Sequence, residues 1–158
     1  MRQAKRMFTQ DHIAYLVNPL PLGEKWGLLP SGSANVFVAN HDTEREGTSL
    51  TAKSPNNAYK LANIFMLANP YAFPTVYSGF DWTSTGQGAD QESNGKLKQV
   101  QCGQNRWRCE HRKPEMKNMA LFRKKSAGKA ISNFMQSTTD QVGELQRCMS
   151  SSGVEGRG

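Results

Sequence analysis

The most constraining stretch of the chain is residues 35–42. There Val36, Phe37, Val38 and Ala39 form an unbroken apolar run, and Asn40, His41 and Asp42 follow without a spacer. A short apolar run without alternation fits a strand over Asn35–Asn40 that is buried on both faces, as strands of parallel sheets are. The abrupt switch in polarity puts Asn40, His41 and Asp42 at the C-terminal end of that strand, where α/β folds handle their ligands. Spacing alone also allows a plainer role, because short polar side chains at such a junction commonly cap a helix.

A buried parallel strand needs a partner reached through a crossover helix. Ala58–Ala68 supplies the helix: Ala58, Leu61, Ala62 and Phe65 recur at helical spacing, Ile64, Leu67 and Ala68 widen the face, and Asn69-Pro70 ends it. Thr75–Ser78 reads as the second strand, one strand–helix–strand unit after the first. Elsewhere, Asp11–Asn18 is expected to form a short helix with Asp11 as its N-cap, stopped by Pro19 and Pro21. Trp26–Ser33 and Thr83–Val100 read as loops, and Glu44 and Glu46 as loop residues. Pro114–Lys125 reads as a helix with Pro114 at its first position and lysines at its C-terminal end. Residues 150–158 carry the composition of a disordered end.

The 158 residues suit one ordinary domain, and the mean hydropathy of −0.66 is polar for one. The net charge of +7 is concentrated in Arg106–Lys129. Such a run is expected to be a solvated face, and no helix-turn-helix, zinc-finger or RNP pattern accompanies it, so nucleic acid is not expected as a partner. The start, MRQAKRMFTQDH, lacks the apolar core of a secretory signal, and no run of apolar residues is long enough to span a membrane. Of the three cysteines, Cys102 and Cys109 lie close together and Cys148 is left over. The close pair allows a disulfide or two free thiols. A zinc site would need further ligands that the spacing does not provide. There is no G-x-S-x-G and no glycine-rich phosphate loop.

The polar cluster has a chemistry of its own. A carboxylate at a strand end can stabilise an oxocarbenium-like transition state or orient a sugar hydroxyl, and a neighbouring imidazole can donate a hydrogen bond to another hydroxyl. Here a resemblance enters. VFVANHDTEREG resembles the strand-seven motif of α-amylases of glycoside hydrolase family 13, F-x-x-N-H-D. Further blocks follow the family order. Trp26–Ser31 resembles W-G-x-x-P-S, and Tyr59–Tyr71 resembles the next helix with its M-L-A-H-P-Y ending. Thr75–Phe80 resembles strand eight, Trp107–Arg112 resembles W-x-C-E-H-R, and Asn118–Arg123 resembles N-M-V-x-F-R. The resemblance covers roughly residues 11 to 136 and is most like the animal-type and related microbial enzymes.

The resemblance implies an α/β fold: a partial TIM (β/α)8 barrel, its last two βα units plus the start of a C-terminal β domain. Residues 1–125 would be the C-terminal part of the catalytic barrel, 126–142 the start of a β-sandwich domain, and 143–158 a disordered tail. A closed barrel takes roughly 200 residues or more, so this chain would hold only part of one. By resemblance Asp42 is the transition-state stabiliser, His41 binds the sugar at the cleavage subsite, Asn40 is a chloride ligand in chloride-dependent members, and Cys102 and Cys109 form a disulfide. Thr75 stands where those members carry an arginine, which argues against chloride activation. The family's calcium ligands, nucleophile and general acid lie on earlier strands and have no counterpart in this chain.

The implied parent activity is retaining endo-hydrolysis of α-1,4-glucosidic bonds in starch or glycogen by a secreted, extracellular enzyme, with starch or maltooligosaccharide as partner. The chain by itself is expected to be inactive. It is also expected to be marginally stable, since two strands from a barrel leave sheet edges unpaired. Two other readings stay open. One is a non-catalytic carbohydrate-binding remnant using Trp26, Tyr77, Trp82, His41 and Asp42. The other is a basic interaction module using Arg106–Lys129.

Overall fold

The computed structural model describes residues 2–9, 13–17 and 21–129. Asp11, Cys148, most of the stretch expected to start a β domain and the expected disordered tail lie outside them.

The expected strand–helix–strand unit is present. β1 (Asn35–Val36) and β2 (Phe73–Pro74) pair in parallel, with Asn35 opposite Phe73 and Val36 opposite Pro74. The Phe73 amide donates to the Ala34 carbonyl at 3.0 Å and the Thr75 amide to the Val36 carbonyl at 2.8 Å. Pro74 lies between these two donors. Its missing N–H belongs to the alternate position that faces away from β1, so no ladder bond is lost. Both strands are shorter in the ladder than the sequence suggested: β1 takes only the first two residues of the expected Asn35–Asn40, and β2 lies just before the expected Thr75–Ser78 rather than within it. The apolar run beyond Val36 continues without ladder bonds to β2, yet Val38 and Ala39 are both buried, so both faces are covered there. The register is pinned from the side, where Asn35 Nδ2 donates to Thr75 Oγ1 at 3.0 Å.

The crossover passes through α2 (His41–Arg45) and α3 (Ala58–Ala68). α3 matches its predicted bounds. It buries Ala58, Tyr59, Leu61, Ala62, Asn63, Met66 and Leu67, more than one stripe. The reason is that it is covered from two sides. α1 (Arg2–Thr9), a helix that the sequence reading did not anticipate, sets Phe8 edge-on against Phe65 with ring centroids 6.0 Å apart. α4 (Pro114–Ser126) sends Met116 into the same core. Leu16 and Leu50 are fully buried there as well, each worth about 1.5–3 kcal/mol. In the described part of the short helix expected over Asp11–Asn18, Ile13–Leu16 forms a tight 3-10 turn.

Arg123 of α4 finishes the end of α3. Its guanidinium donates to the carbonyls of Asn69, Leu67 (3.4 Å), Pro70 (3.4 Å) and Ala72 (2.5 Å). These groups gain a cationic donor where a helix C-terminus leaves carbonyls unpaired. On the other side, β1 and β2 each keep an edge without a strand partner among the described residues, and Phe73, Leu28 and Leu29 are exposed.

Candidate functional site

The polar triplet after β1 is built by a cap. Asn40 leaves the strand in extended conformation, and its side-chain oxygen accepts from the Thr43 amide at 2.8 Å. Thr43 Oγ1 returns the contact by accepting from the Asn40 amide at 3.0 Å. This reciprocal capping box satisfies two amides that a helix start leaves orphaned. The plain capping role that spacing allowed thus falls to Asn40. His41 and Asp42, in the first turn, are left free for other work. Their side chains are 75% and 63% exposed, with His41 Nε2 3.3 Å from Asp42 Oδ1. The pair presents an acceptor carboxylate and an imidazole side by side at the C-terminal end of a parallel strand.

Glu44 corrects the sequence reading. It is not a loop residue but a buried member of α2, 6% exposed. It meets Arg108, whose Nη2 lies 2.5 Å from Glu44 Oε1. The same guanidinium donates through Nε to Glu110 Oε1 at 2.6 Å, and through Nη1 to the Phe80 carbonyl at 3.1 Å and Asp81 Oδ1 at 3.2 Å. Burial alone would lower the Arg108 pKa. The hydrogen bond and charge of Glu110, with the charge of Glu44, outweigh it and hold the guanidinium above its ordinary value. Gly79 leaves the space for this cluster: a Cβ there would stand 2.3 Å from Arg108 Nη2. Its amide donates to Glu110 Oε2 at 3.1 Å. No local pattern in the sequence marks Glu44 and Arg108 as partners, since they are 64 positions apart.

The neighbouring Arg45 is fixed too. Its guanidinium lies 5.5 Å from the ring centroids of both Phe80 and Trp82, and donates to the carbonyls of Thr85 and Gln87 (2.8 Å for Gln87). Lys53 lies 4.8 Å from the Trp82 ring centroid. Trp82 is therefore engaged by cations, while Trp26 and Tyr77 pack against the core. All three aromatic residues named for a carbohydrate-binding remnant are partly buried. The basic run is also not uniformly a solvated face. Arg106 pairs with Asp90 at 2.5 Å, Arg108 is in the buried cluster, and Arg123 caps α3, while Arg112, Lys113, Lys117, Lys124, Lys125 and Lys129 are exposed. Arg106, first by its hydrogen bond, holds the Asp90 carboxyl below its ordinary range.

Cys102 and Cys109 are joined in a disulfide with Cα atoms 5.5 Å apart, the pairing that the resemblance implied. It closes the loop carrying Arg106 and Arg108. Tyr59 lies under the cluster and donates to the Tyr77 carbonyl at 3.2 Å. Burial, then the charges of Glu110 and Glu44, raise its phenol above the ordinary value of 10.0. The neutral phenol is thus favoured in the fold. Its contribution is fully present below pH 10 and is lost as pH rises through the higher folded value. Tyr59→Phe should cost about 0.5–1.5 kcal/mol at neutral pH through the lost hydrogen bond. The gap between variant and wild type should narrow above about pH 10. Urea midpoints measured on both sides of that pH check this, and a constant gap would refute it.

The ions that the resemblance suggests are chloride and calcium. Thr75 is occupied with Asn35, Asn40 Oδ1 with the Thr43 amide, and the guanidinium groups of Arg45 and Arg108 with carbonyls and carboxylates. Thr75 offers no positive charge and the two guanidinium groups are already engaged, so the set lacks the free cationic donor that a chloride ion would take. Among the described residues no group of three or more His, Cys, Asp or Glu side chains is placed to hold a metal ion. No helix among the described residues is long and apolar enough to cross a membrane.

No family profile matches the chain. Individual proteins do. It is 39% identical to an alpha-amylase of Streptomyces violaceus over 89% of this chain and 23% of that one. It is 38% identical to pancreatic alpha-amylase 2a5 of Mus musculus over 87% of this chain and 30% of that one. The fold is similar to the crystal structure of alpha-amylase I from Eisenia fetida, with a TM-score of 0.77 and 32% identity, over 87% of this chain and 30% of the other. A mutant of that enzyme in complex with maltohexaose matches with a TM-score of 0.75 and 33% identity, over 86% of this chain and 30% of the other. The chain spans about a quarter of the length of the first of these relatives and under a third of the others. The chain therefore belongs to the alpha-amylase family, and it corresponds to part of the length of that family's members.

Proposed function

We propose that the chain is the part of an alpha-amylase catalytic barrel that carries strands seven and eight, and that Asp42 is one carboxylate of that enzyme's active site. Residues 1–125 form the barrel part, with α4 its last helix, and a β domain begins within 126–142. In the intact enzyme the reaction is retaining endo-hydrolysis of α-1,4-glucosidic bonds in starch or glycogen. The observation that carries this reading is the exposed His41–Asp42 pair, held at the end of β1 by the Asn40 capping box.

The chemistry follows from that placement. In a retaining hydrolysis one carboxylate attacks the anomeric carbon and a carboxylic acid protonates the leaving oxygen. Asp42 is assigned to neither. It accepts hydrogen bonds from sugar hydroxyls and faces the positive charge that develops on the ring, an interaction strongest in the transition state. His41 donates a ring N–H to a neighbouring hydroxyl and so orients the ring. The nucleophile and acid come from parts of the enzyme outside this chain. The maltohexaose complex of the Eisenia fetida mutant supports an α-glucan as ligand. The disulfide and the pancreatic relatives support a secreted protein.

The test is a titration of the isotope-labelled chain with maltohexaose, followed at His41 and Asp42. Asp42→Asn should weaken binding by about 10–100-fold, the worth of a hydrogen bond to a charged group. His41→Ala should weaken it by about tenfold. Equal affinity in wild type and both variants would refute the assignment.

A further inference from the structure

α2 has only five residues, too few to persist without tertiary support. Its N-terminus is held by the Asn40 capping box, and the rest needs an anchor elsewhere. Glu44 follows Asp42 by two positions, which turns it by about 200° around the helix axis. Glu44 is accordingly buried while Asp42 is exposed. Whatever fixes Glu44 fixes the rotation of the helix, and with it the direction in which Asp42 points. Arg108 makes that contact, and it is itself held from several sides. Its backbone amide donates to the Gly79 carbonyl at 3.1 Å, its guanidinium spans Glu110, Phe80 and Asp81, and the residue beside it is the disulfide-bonded Cys109.

We propose that Arg108 is a positioning residue for Asp42, acting through Glu44. The planar guanidinium takes Glu44 on one nitrogen and Glu110 on another, so it transmits the position of the disulfide-bonded segment to the helix after β1. A lysine at 108 would keep the charge but could not span both carboxylates in this geometry. This rests on Asp42 being the sugar-contacting carboxylate, but the decisive readout does not.

The experiment compares the labelled 158-residue chain with its Glu44→Gln and Arg108→Lys variants by amide hydrogen exchange, together with the ring resonances of His41. The Thr43 and Glu46 amides report on α2, because they bond to Asn40 Oδ1 and to the Asp42 carbonyl. The Asn69 amide, bonded to the Phe65 carbonyl, reports on α3. Both variants should speed exchange at Thr43 and Glu46 about tenfold, change Asn69 by less than about twofold, and shift the His41 signals. Maltohexaose affinity should fall by about tenfold in the same variants. Unchanged Thr43, Glu46 and His41 signals would overturn the proposal, and so would equal acceleration at Asn69, which would mean general loosening. If wild type does not bind maltohexaose, the reading of Asp42 falls, while the exchange pattern still decides whether Arg108 orients the helix.

Discussion

Incubated with soluble starch, the purified 158-residue chain should release no reducing ends above the buffer blank, and Asp42→Asn should leave that result unchanged. The reason is geometric. A retaining glycosidase needs a nucleophile and an acid about 5–5.5 Å apart, on either side of the scissile bond. Asp42 supplies one exposed carboxylate. The next carboxylate on α2, Glu44, lies on the opposite side of the helix and is committed to Arg108, as is Glu110. Asp81 touches the same guanidinium. Proton transfer from a positioned acid is worth about 10²–10⁴-fold by itself, and the lost nucleophile adds to that. A stabiliser without the other two groups has no transition state to stabilise. A reducing-sugar assay settles the matter: turnover in wild type that disappears in Asp42→Asn would mean that the chain assembles a working site.

The second large effect is on stability. Arg108→Met should destabilise the chain by about 3–5 kcal/mol, the usual cost of removing one partner from a buried ion pair. Domains of this size commonly have about 5–15 kcal/mol in total. The cost arises because Glu44 and Glu110, 6% and 2% exposed, would be left largely buried without their cation. The loss should therefore be recovered in large part by adding Glu44→Gln and Glu110→Gln, which remove the stranded charges. Urea midpoints of wild type, single and triple variants make the comparison. If the triple variant is no more stable than Arg108→Met, packing by the arginine stem rather than its charge dominates.

What the sequence by itself determined is local. The apolar run of Val36–Ala39 and the periodicity of Ala58–Ala68 were enough to place a short parallel strand with buried residues after it, and its crossover helix, because strand and helix spacing are written in neighbouring residues. Pro114 likewise marked the start of α4. The polar triplet was also legible, since the switch from apolar to polar residues occurs at one point in the chain. The family blocks added a pairing of Cys102 with Cys109 that composition left open. Strand ends were less legible. Where a ladder runs depends on which donors the partner offers, so β2 is Phe73–Pro74, just before the expected Thr75–Ser78.

Only the tertiary structure decided which polar residues do which work. Asn40, His41 and Asp42 are adjacent and all could cap, yet the cap geometry committed Asn40 to Thr43 and left the other two exposed. Glu44 and Arg108 look like ordinary surface charges in the sequence. They become a buried pair because the fold brings α2, the glycine after β2 and the disulfide loop to one point. The physical reason is that a side chain's charge is fixed by its type, while the strength of its interactions depends on burial and on partners distant in the chain.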